Sequence, residues 1–237
     1  MTLLTLKNIG LKASDKSILQ NVSYEVQAGD FIIILGSNGS GKSSLLKLLD
    51  QRYRPSVGFL SLKQKNYTEY SSSEFNRMVK TLTQNCSESL FTSLTILENY
   101  ILQTGNKRKE GRRFFSNFLE KFNLSLAKNL NQVVGNLSGG EQQALTLALA
   151  MLSPPEILLL DEHTSALDPK TAARLMAMTG DIVREKNITC ILATHDLHIA
   201  LHYGNKILAL RQGKIVQEYQ QVAKNNLTQD QLLAACY

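Results

Sequence analysis

The sequence predicts an α/β fold with a mostly parallel sheet core, an antiparallel β part at the N-terminus and a helical insert. Three observations support this. The first thirty residues alternate between apolar and polar side chains, as half-buried antiparallel strands do. Two continuous apolar runs, typical of strands buried on both faces, are each followed by a loop and a helical pattern. From about residue 84 to 152 the apolar residues recur at helical spacing.

The N-terminal elements follow in the order strand, loop, helix. The stretches "LLTLKNIGL" and "NVSYEVQAGD" predict two strands joined by turns, with a turn at Gly29 and Asp30. The run Phe31–Leu35 predicts a buried strand, and a Gly-rich loop and the helix Lys42–Leu49 follow it. The segment Val57–Leu62 is typical of one arm of a hairpin. These elements predict an antiparallel part beside the first strand of the core.

The helical pattern divides the core in two. The stretches "LTILENYILQ" and "RRFFSNFLEKF" carry apolar residues at i, i+3 and i+4 spacing. We therefore predict one domain, 1–237, whose core is formed by 1–84 and 153–237 and whose helical subdomain is 85–152.

Buried strands return after the two prolines at 154 and 155. The predicted strands are 157–160, 188–194 and a hairpin formed by 206–210 and 214–216. Between the first two, Asp168 is the expected N-cap of a helix with Pro169 at its first position. Thr228 and Gln231 have the spacing of a capping box and predict the start of a last helix.

Composition excludes several classes of protein. The longest apolar runs are far shorter than the roughly 20 residues that span a bilayer, and the start has no signal-peptide pattern. Three widely separated cysteines indicate a reducing compartment. The net charge of +6 is concentrated in "KRKEGRR", 107–113. This run is either a solvated loop or helix end, or a surface for lipid headgroups or an acidic partner.

The pattern G-x-x-x-x-G-K-[ST] begins at residue 36, between a buried strand and a helix. Glycines allow successive amides to point into one concave nest that holds phosphate oxygens, and the helix N-terminus adds a favourable dipole. Lys42 can reach the β- and γ-phosphates, and the Ser43 hydroxyl can bind Mg²⁺. The predicted phosphate-binding residues are Gly36, Ser37, Asn38, Gly39, Ser40, Gly41, Lys42, Ser43 and Ser44.

An acidic pair follows the second buried strand. Asp161 stands at the carboxyl end of that strand, where ligands bind in parallel sheets, and is a candidate Mg²⁺ ligand. Glu162 is then placed to polarise an attacking water. A plain solvated acid at a strand end is the alternative for Glu162.

A second Gly-rich helix start lies at "LSGGEQQ". Ser138 and Glu141 form a capping box, and Gly139 and Gly140 leave the neighbouring amides uncovered. One nucleotide rarely needs two phosphate cradles on a single chain. We therefore interpret this helix start as one that covers ATP held by another subunit.

Together, "GSNGSGKSS", "LSGGEQQ", "LLLDEHTSALD" and "ATHDL", in this order and at these separations, resemble the nucleotide-binding subunit of an ATP-binding cassette (ABC) transporter. The resemblance covers essentially the whole chain and implies the ABC ATPase fold, ATP and Mg²⁺ as cofactors, a homodimer and membrane permease partners. It implies that Gln84 contacts Mg²⁺ and the catalytic site, that Asp168 belongs to a loop that crosses the dimer interface, and that His195 touches the γ-phosphate.

The chain departs from the family pattern in two places. The family usually has an aromatic residue that stacks on adenine near the position of Ala13, and the stretch 12–16 has none. Ile18 offers a partial apolar contact instead. The second departure is His163, which stands where the family usually has Pro.

The motif "DEHTSALDPKTA", the triplet at 203–205 and the "NLT" at 226–228 are similar to those of a smaller group of importer ATPases. That resemblance implies uptake of an amino acid or another small metabolite, a substrate-binding protein, and a place on the cytoplasmic face of the membrane. Export, lipid trafficking or action on nucleic acid are the alternatives. No nucleic acid is expected, because such ABC proteins usually carry two cassettes or a long coiled coil.

Overall fold

A computed structural model describes residues 1–14, 16–220 and 227–236. Asp15 and Asn226, which belong to two of the sequence patterns above, lie outside the described residues. The chain forms two compact units. The first comprises Met1–Thr81, Pro155–Glu162 and Val183–Tyr237, and the second comprises Leu82–Pro154 and His163–Ile182.

Ten strands are present in the described residues. They are β1 (Thr2–Ala13), β2 (Lys16–Gln27), β3 (Phe31–Leu35), β4 (Val57–Leu62), β5 (Lys65–Asn66), β6 (Val79–Thr83), β7 (Ile157–Asp161), β8 (Thr189–Thr194), β9 (Lys206–Arg211) and β10 (Lys214–Gln220).

Nine α-helices are present in the same part of the chain. They are α1 (Lys42–Leu49), α2 (Ser72–Met78), α3 (Ile96–Thr104), α4 (Lys109–Leu119), α5 (Leu124–Lys128), α6 (Gly139–Met151), α7 (Pro169–Glu185), α8 (Leu197–His202) and α9 (Gln229–Cys236).

The strands form two sheets. The order of the four-stranded sheet is β2-β1-β4-β5, with antiparallel neighbours. The order of the six-stranded sheet is β10-β9-β3-β8-β7-β6. In this sheet β3 is parallel to both β8 and β9, and β7 is parallel to β8. Strand β10 runs antiparallel to β9. The predicted α/β architecture, with its antiparallel N-terminal part, is confirmed.

The hydrophobic core of the first unit explains the continuous apolar runs. Every residue of β8 is buried, as are four of the five residues of β3 and of β7, because these central strands are covered on both faces. Helix α1 contributes Leu45, Leu46, Leu48 and Leu49 to the same core. The helix that follows the Gly-rich loop is therefore held by apolar packing, and its N-terminus is fixed at the carboxyl edge of the sheet.

The second unit is mainly helical. Capping boxes start α3, at Thr95 and Glu98, and α6, at Ser138 and Glu141. The rings of Tyr100 and Phe115 stack with centroids 4.3 Å apart and join α3 to α4. The predicted helical segment 85–152 lies within this unit, which also includes His163–Ile182. The division of the chain into subdomains at 84 and 153 stays a prediction.

The predicted elements after residue 153 are confirmed, with small shifts of their ends. Asp168 accepts a hydrogen bond from the Thr171 amide at 3.1 Å and caps α7, which begins at Pro169. Thr228 and Gln231 exchange the two bonds of a capping box before α9. The predicted hairpin is β9 and β10, although β10 extends to Gln220.

Four elements had no prediction from the sequence: α2, β5, β6 and α8. Helix α2 buries only Phe75, so it has no apolar periodicity to detect. Its one local signal is the capping box of Ser71 and Glu74. Strand β6 has just five residues and buries Val79 and Leu82, which are three positions apart, so it lacks the alternation typical of a strand. Elements this short are specified by the packing around them more than by their own pattern.

Candidate functional site

The Gly-rich loop between β3 and α1 leaves backbone amides available to an anion. The N-cap of α1 is Gly41, whose φ of 108° is in the left-handed region and whose lack of a side chain leaves the cap without a side-chain hydrogen bond. Leu45 donates to the Gly41 carbonyl at 2.9 Å, so the three amides before Leu45 have no acceptor inside the helix. Such an N-terminus attracts negative charge.

The loop is closely packed against the end of β9. A Cβ on Gly36 would lie 2.3 Å from the Leu210 carbonyl oxygen and 2.7 Å from the Ser40 hydroxyl oxygen, so only glycine fits there. The Ser40 hydroxyl is buried and has no hydrogen-bond partner among the described residues. A buried hydroxyl of this kind is normally satisfied by a ligand or by water. The cradle therefore has the donors and the shape that phosphate binding requires.

Lys42 and Ser43 connect this loop to the acids on β7. The buried Lys42 ammonium donates to the carbonyls of Gly36, at 2.8 Å, and Ser37, at 3.1 Å, and lies 3.7 Å from Glu162 Oε1. The Ser43 hydroxyl donates to Asp161 Oδ1 at 3.0 Å. The sequence-predicted cation thus contacts one of the two carboxylates, and the predicted hydroxyl contacts the other.

The Asp161 carboxylate is in an unusual electrostatic position. Burial raises the pKa of Asp161 above its ordinary value, and the nearby Glu162 charge adds to this. The hydrogen bond from Ser43 and the charges of Lys47 and Lys42 lower the pKa, but by less than burial raises it. A bound cation would favour the ionised form, which is what a candidate Mg²⁺ ligand requires.

Glu162 occupies a strained backbone position at the end of β7. Its φ of 48° is uncommon for a residue with a side chain, and its amide donates to the Ala193 carbonyl at 3.0 Å. Glu162 Oε1 lies 3.1 Å from His195 Nδ1. Strain of about 1–3 kcal/mol is often retained where it orients a functional group. Here the strained residue carries the carboxylate that the sequence predicts to polarise water.

A cavity of about 690 Å³ opens in front of the loop. Its lining includes residues of the loop and α1 together with Glu162. It also includes Lys16, Ser17, Ile18, Gln20 and Gln212. A volume of this size suits a ligand as large as a nucleotide.

The sequence predicts the hairpin of β9 and β10, but the contact of its turn with the Gly-rich loop was not identified. The Gly213 amide donates to the Ser40 carbonyl at 2.9 Å, and the Gln20 amide donates to the Gly213 carbonyl at 2.8 Å. A Cβ on Gly213 would lie 2.2 Å from the Ile18 carbonyl oxygen. This turn holds β2 against the Gly-rich loop and brings Gln212 to the cavity. No local motif marks it, since the contact joins distant parts of the chain.

In the second unit, the N-termini of α6 and α7 lie together. Ser138 and Glu141 form the predicted capping box, in which the Ser138 amide donates to Glu141 Oε2 at 3.0 Å. A Cβ on Gly140 would lie 2.4 Å from Thr171 Cγ2, and the Thr171 amide donates to Asp168. The residues predicted to meet a second subunit, Ser138 to Gly140 and Asp168, are therefore neighbours.

Gln84 is exposed and follows β6 directly. The side-chain nitrogen of Gln143, a buried residue of α6, donates to the carbonyls of Thr83 and Gln84 at 3.1 and 3.0 Å. Gln143 thus fixes the backbone at the end of β6 and at Gln84, the residue that follows it. Sequence reasoning missed this residue, although it is part of "LSGGEQQ".

His163, next to Glu162 in sequence, is 1% exposed, and neither ring nitrogen has a hydrogen-bond partner among the described residues. Burial lowers the pKa of His163 from 6.5 to about 4. The imidazole is therefore neutral at physiological pH. Its surroundings are those of a core side chain.

The structure thus brings together the Gly-rich loop, Asp161, Glu162 and His195 in the first unit. Gln84, the Ser138 to Gly140 segment and Asp168 belong to the second unit. Among the described residues, no helix is both long and apolar enough to cross a membrane.

A strand, a Gly-rich anion cradle and paired acids at the carboxyl end of another parallel strand of the same sheet define the class of P-loop nucleotide triphosphatases. The sequence matches the family described as ABC transporter over residues 19–165. The chain belongs to this family and is an ATP-hydrolysing subunit of an ABC transporter.

Two relatives agree with this assignment. The chain is 37% identical over 225 residues to a tyrosine transport ATP-binding protein of Clostridioides difficile, covering 92% of this chain and 90% of that protein. It is 32% identical over 203 residues to a methionine import ATP-binding protein, MetN 1, of Bacillus thuringiensis. That match covers 84% of this chain but 60% of the relative.

A solved structure has the same fold. The ATP-binding cassette MJ0796, in a dimeric post-hydrolysis state bound to ADP and Pi, superposes with a TM-score of 0.78 and 28% identity. The match covers 92% of this chain and 99% of that chain. The ABC ATPase fold predicted from the motifs is confirmed.

Proposed function

We propose that the chain hydrolyses ATP to drive uptake of a small, amino-acid-like solute through a membrane permease. The observation that carries the ATPase chemistry is the contact cluster of Lys42, Ser43, Asp161, Glu162 and His195 beside an open anion cradle. The proposal of uptake is supported by the importer-like "DEHTSALDPKTA" motif and by the names of the tyrosine and methionine relatives. The permease, and a substrate-binding protein, would be separate chains.

The residues around Asp161 fit a magnesium ion bound with ATP. Hydroxyl and carboxylate oxygens are the ligands that Mg²⁺ prefers, and Ser43 and Asp161 already lie within 3.0 Å of each other. Bound there, the ion would neutralise phosphate charge during hydrolysis. Gln84 is the further proposed ligand, and it would report occupancy of the site to the helical part of the chain.

Glu162 is the proposed general base. Its carboxylate is held by His195 at 3.1 Å and faces the Lys42 ammonium at 3.7 Å, so its position is fixed from two sides. From there it would orient a water for attack on the γ-phosphate and accept the proton of that water. The exposed His195 ring would hydrogen-bond the γ-phosphate and keep the carboxylate in place.

We propose a homodimer with two equivalent sites. The segment Ser138 to Gly140 of one copy would cover ATP bound at 36–44 of the other, and Asp168 would lie at the interface. A two-fold dimer produces both sites at once, because each copy offers the same two surfaces. The dimeric structure of MJ0796 supports this arrangement. Bound to a permease partner, the dimer would lie on the cytoplasmic face of the membrane.

The decisive variant is Glu162→Gln. It should still bind ATP, hydrolyse it about 10²–10⁴-fold more slowly, and run as an ATP-dependent dimer on size exclusion. Glu69→Gln, a change of an exposed acid in the same unit, is the matched control and should behave as wild type. An unchanged turnover of Glu162→Gln would remove Glu162 as the base.

The transport proposal needs its own measurement. The chain should copurify with a co-expressed permease encoded beside it and should support ATP-dependent accumulation of a labelled amino acid in cells or vesicles. Strong stimulation of ATP hydrolysis by DNA or RNA, with no membrane subunit bound, would refute transport.

A further inference from the structure

The segment 107–113, which comprises the start of α4 and the two residues before it, is strongly basic. The proposed catalytic chemistry does not use it. We call this surface the α4 basic face and define it by its exposed residues Lys107, Arg108, Lys109, Arg112, Arg113 and Phe114. The segment 107–113 contains five basic residues and one acid, Glu110, for a net charge of +4. Since the whole chain carries +6, the other 230 residues carry only +2.

These charges are not explained by the stability of the fold. A helix N-terminus favours negative charge, yet Lys109 is the first residue of α4 and Arg108 is an N-cap without a side-chain hydrogen bond. Among the described residues, none of the five basic side chains is in an ion pair, and Arg112 donates to Asn131 Oδ1 at 3.1 Å. The charges therefore remain available to a partner.

Aromatic rings accompany the charges. The buried face of α4 is formed by Gly111, Phe115 and Leu119, which leaves Phe114 directed outward and 56% exposed. The Phe114 ring lies 6.0 Å from that of Phe118, centroid to centroid. An exposed aromatic side chain beside a group of cations is typical of helices that lie at the surface of a membrane.

We propose that the α4 basic face binds the anionic headgroups of the membrane that contains the permease. Each Lys or Arg close to an anionic bilayer strengthens binding by roughly fivefold. Phe114 would enter the headgroup layer, where its apolar ring leaves water and the neighbouring cations meet anionic groups. A nucleic-acid duplex would match the cations but offers no comparable apolar layer to Phe114, so lipid fits the whole surface better. This contact is additional to the permease and does not depend on the transport proposal.

The test is sedimentation of the full chain with vesicles, without nucleotide. Wild type should bind vesicles of phosphatidylcholine mixed with phosphatidylglycerol, release from them at high salt, and ignore pure phosphatidylcholine. The triple variant Lys107→Gln, Lys109→Gln, Arg113→Gln should bind roughly 100-fold more weakly, from three charges at about fivefold each. Its ATP hydrolysis in solution should stay at the wild-type rate.

The matched control is Arg77→Gln, Lys128→Gln, Lys186→Gln, which removes three exposed charges elsewhere and should bind vesicles within a few-fold of wild type. Phe114→Gln should also weaken vesicle binding, whereas Phe59→Gln, a change of another exposed aromatic, should not.

Three results would overturn the proposal. One is absence of binding to anionic vesicles. Another is an equal loss in both triple variants, which would mean that only total charge matters. The third is tighter binding, at equal charge concentration, to duplex DNA or to polyglutamate through the same residues, which would assign the face to another partner.

Discussion

The N-termini of α1 and α6 satisfy their first amides in different ways. Helix α1 starts at Gly41, which has no side chain to cap it, and its free amides face a loop that includes the Lys42 ammonium. Helix α6 starts at Ser138, whose capping box with Glu141 already satisfies two amides. The first therefore combines open amides with a cation, as an anion-binding site requires. The second offers backbone donors without a cation, which suits a surface that completes a site on another copy.

The two regions also differ in what holds them together. In the first unit, polar side chains contact one another: Glu162 contacts Lys42 and His195, and the Ser43 hydroxyl donates to Asp161. In the second unit, the contact between α6 and α7 is steric, between Gly140 and Thr171. Substitutions that change charge should therefore disturb the first region most, and substitutions that change side-chain volume should disturb the second.

The largest expected effect is that of Lys42→Met. The variant keeps most of the side-chain volume but removes a buried charge that would bind phosphate. Removing one partner of a buried charge pair typically weakens binding by about 2–5 kcal/mol. The dissociation constant for ATP, measured by calorimetry, should rise about 30-fold or more while the circular dichroism spectrum is unchanged. Lys186→Met, at an exposed site, is the control. Near wild-type affinity in Lys42→Met would show that the backbone amides alone bind the phosphates.

His163 should affect stability against acid and not catalysis. Because burial lowers its pKa from 6.5 to about 4, the unfolded chain binds the proton more strongly within this window. The contribution of the neutral His163 to the free energy of unfolding is therefore fully present above pH 6.5. It falls by about 3 kcal/mol in total as the pH drops toward 4. Urea unfolding of His163→Leu should show this acid loss reduced by a similar amount.

The family-like variant His163→Pro provides the catalytic check on the same residue. It should retain most of the ATPase activity of wild type. A loss of activity comparable to that of Glu162→Gln would mean that the imidazole has a chemical role.

Gly140→Ala should destabilise the second unit by about 1–3 kcal/mol, because its new methyl would overlap Thr171 Cγ2. Gly139→Ala is the matched control, since its Cβ would meet Leu167 Cδ2 at 3.4 Å, a tight but tolerable distance. Thr171→Ser removes the obstructing methyl and should rescue Gly140→Ala in urea unfolding. If it does not, the two helix N-termini are not in the contact described here.

The smallest expected effect is that of Ala13→Tyr. An aromatic ring at this position would supply the stacking on adenine that is usual in the family. Ile18 offers only a partial apolar contact in its place. ATP should bind about three- to tenfold more tightly, in line with the roughly 1 kcal/mol typical of an aromatic stack. Ala13→Leu controls for added apolar area. An unchanged affinity in Ala13→Tyr would mean that Ile18 and its neighbours already cover the base.

Much of the first region could be predicted because its residues stand at the carboxyl ends of strands that are readable as apolar runs. Asp161 is the last residue of β7 and His195 follows β8, and in a parallel sheet these ends meet at one edge. The Gly-rich loop after β3 opens at the same edge. Local motif and sheet polarity together were sufficient to predict this cluster.

Local patterns at fixed spacing were enough to predict the family, most of the elements and the polar groups proposed to bind phosphate and magnesium. Tertiary structure alone decided which groups assist them. Gly213 supports the loop, and Gln143 holds the backbone at Gln84, through contacts between residues far apart in the chain. It also decided that His163, beside the proposed catalytic acid, is buried and neutral. Burial and long-range packing are properties of the folded chain, and no short stretch of sequence contains them.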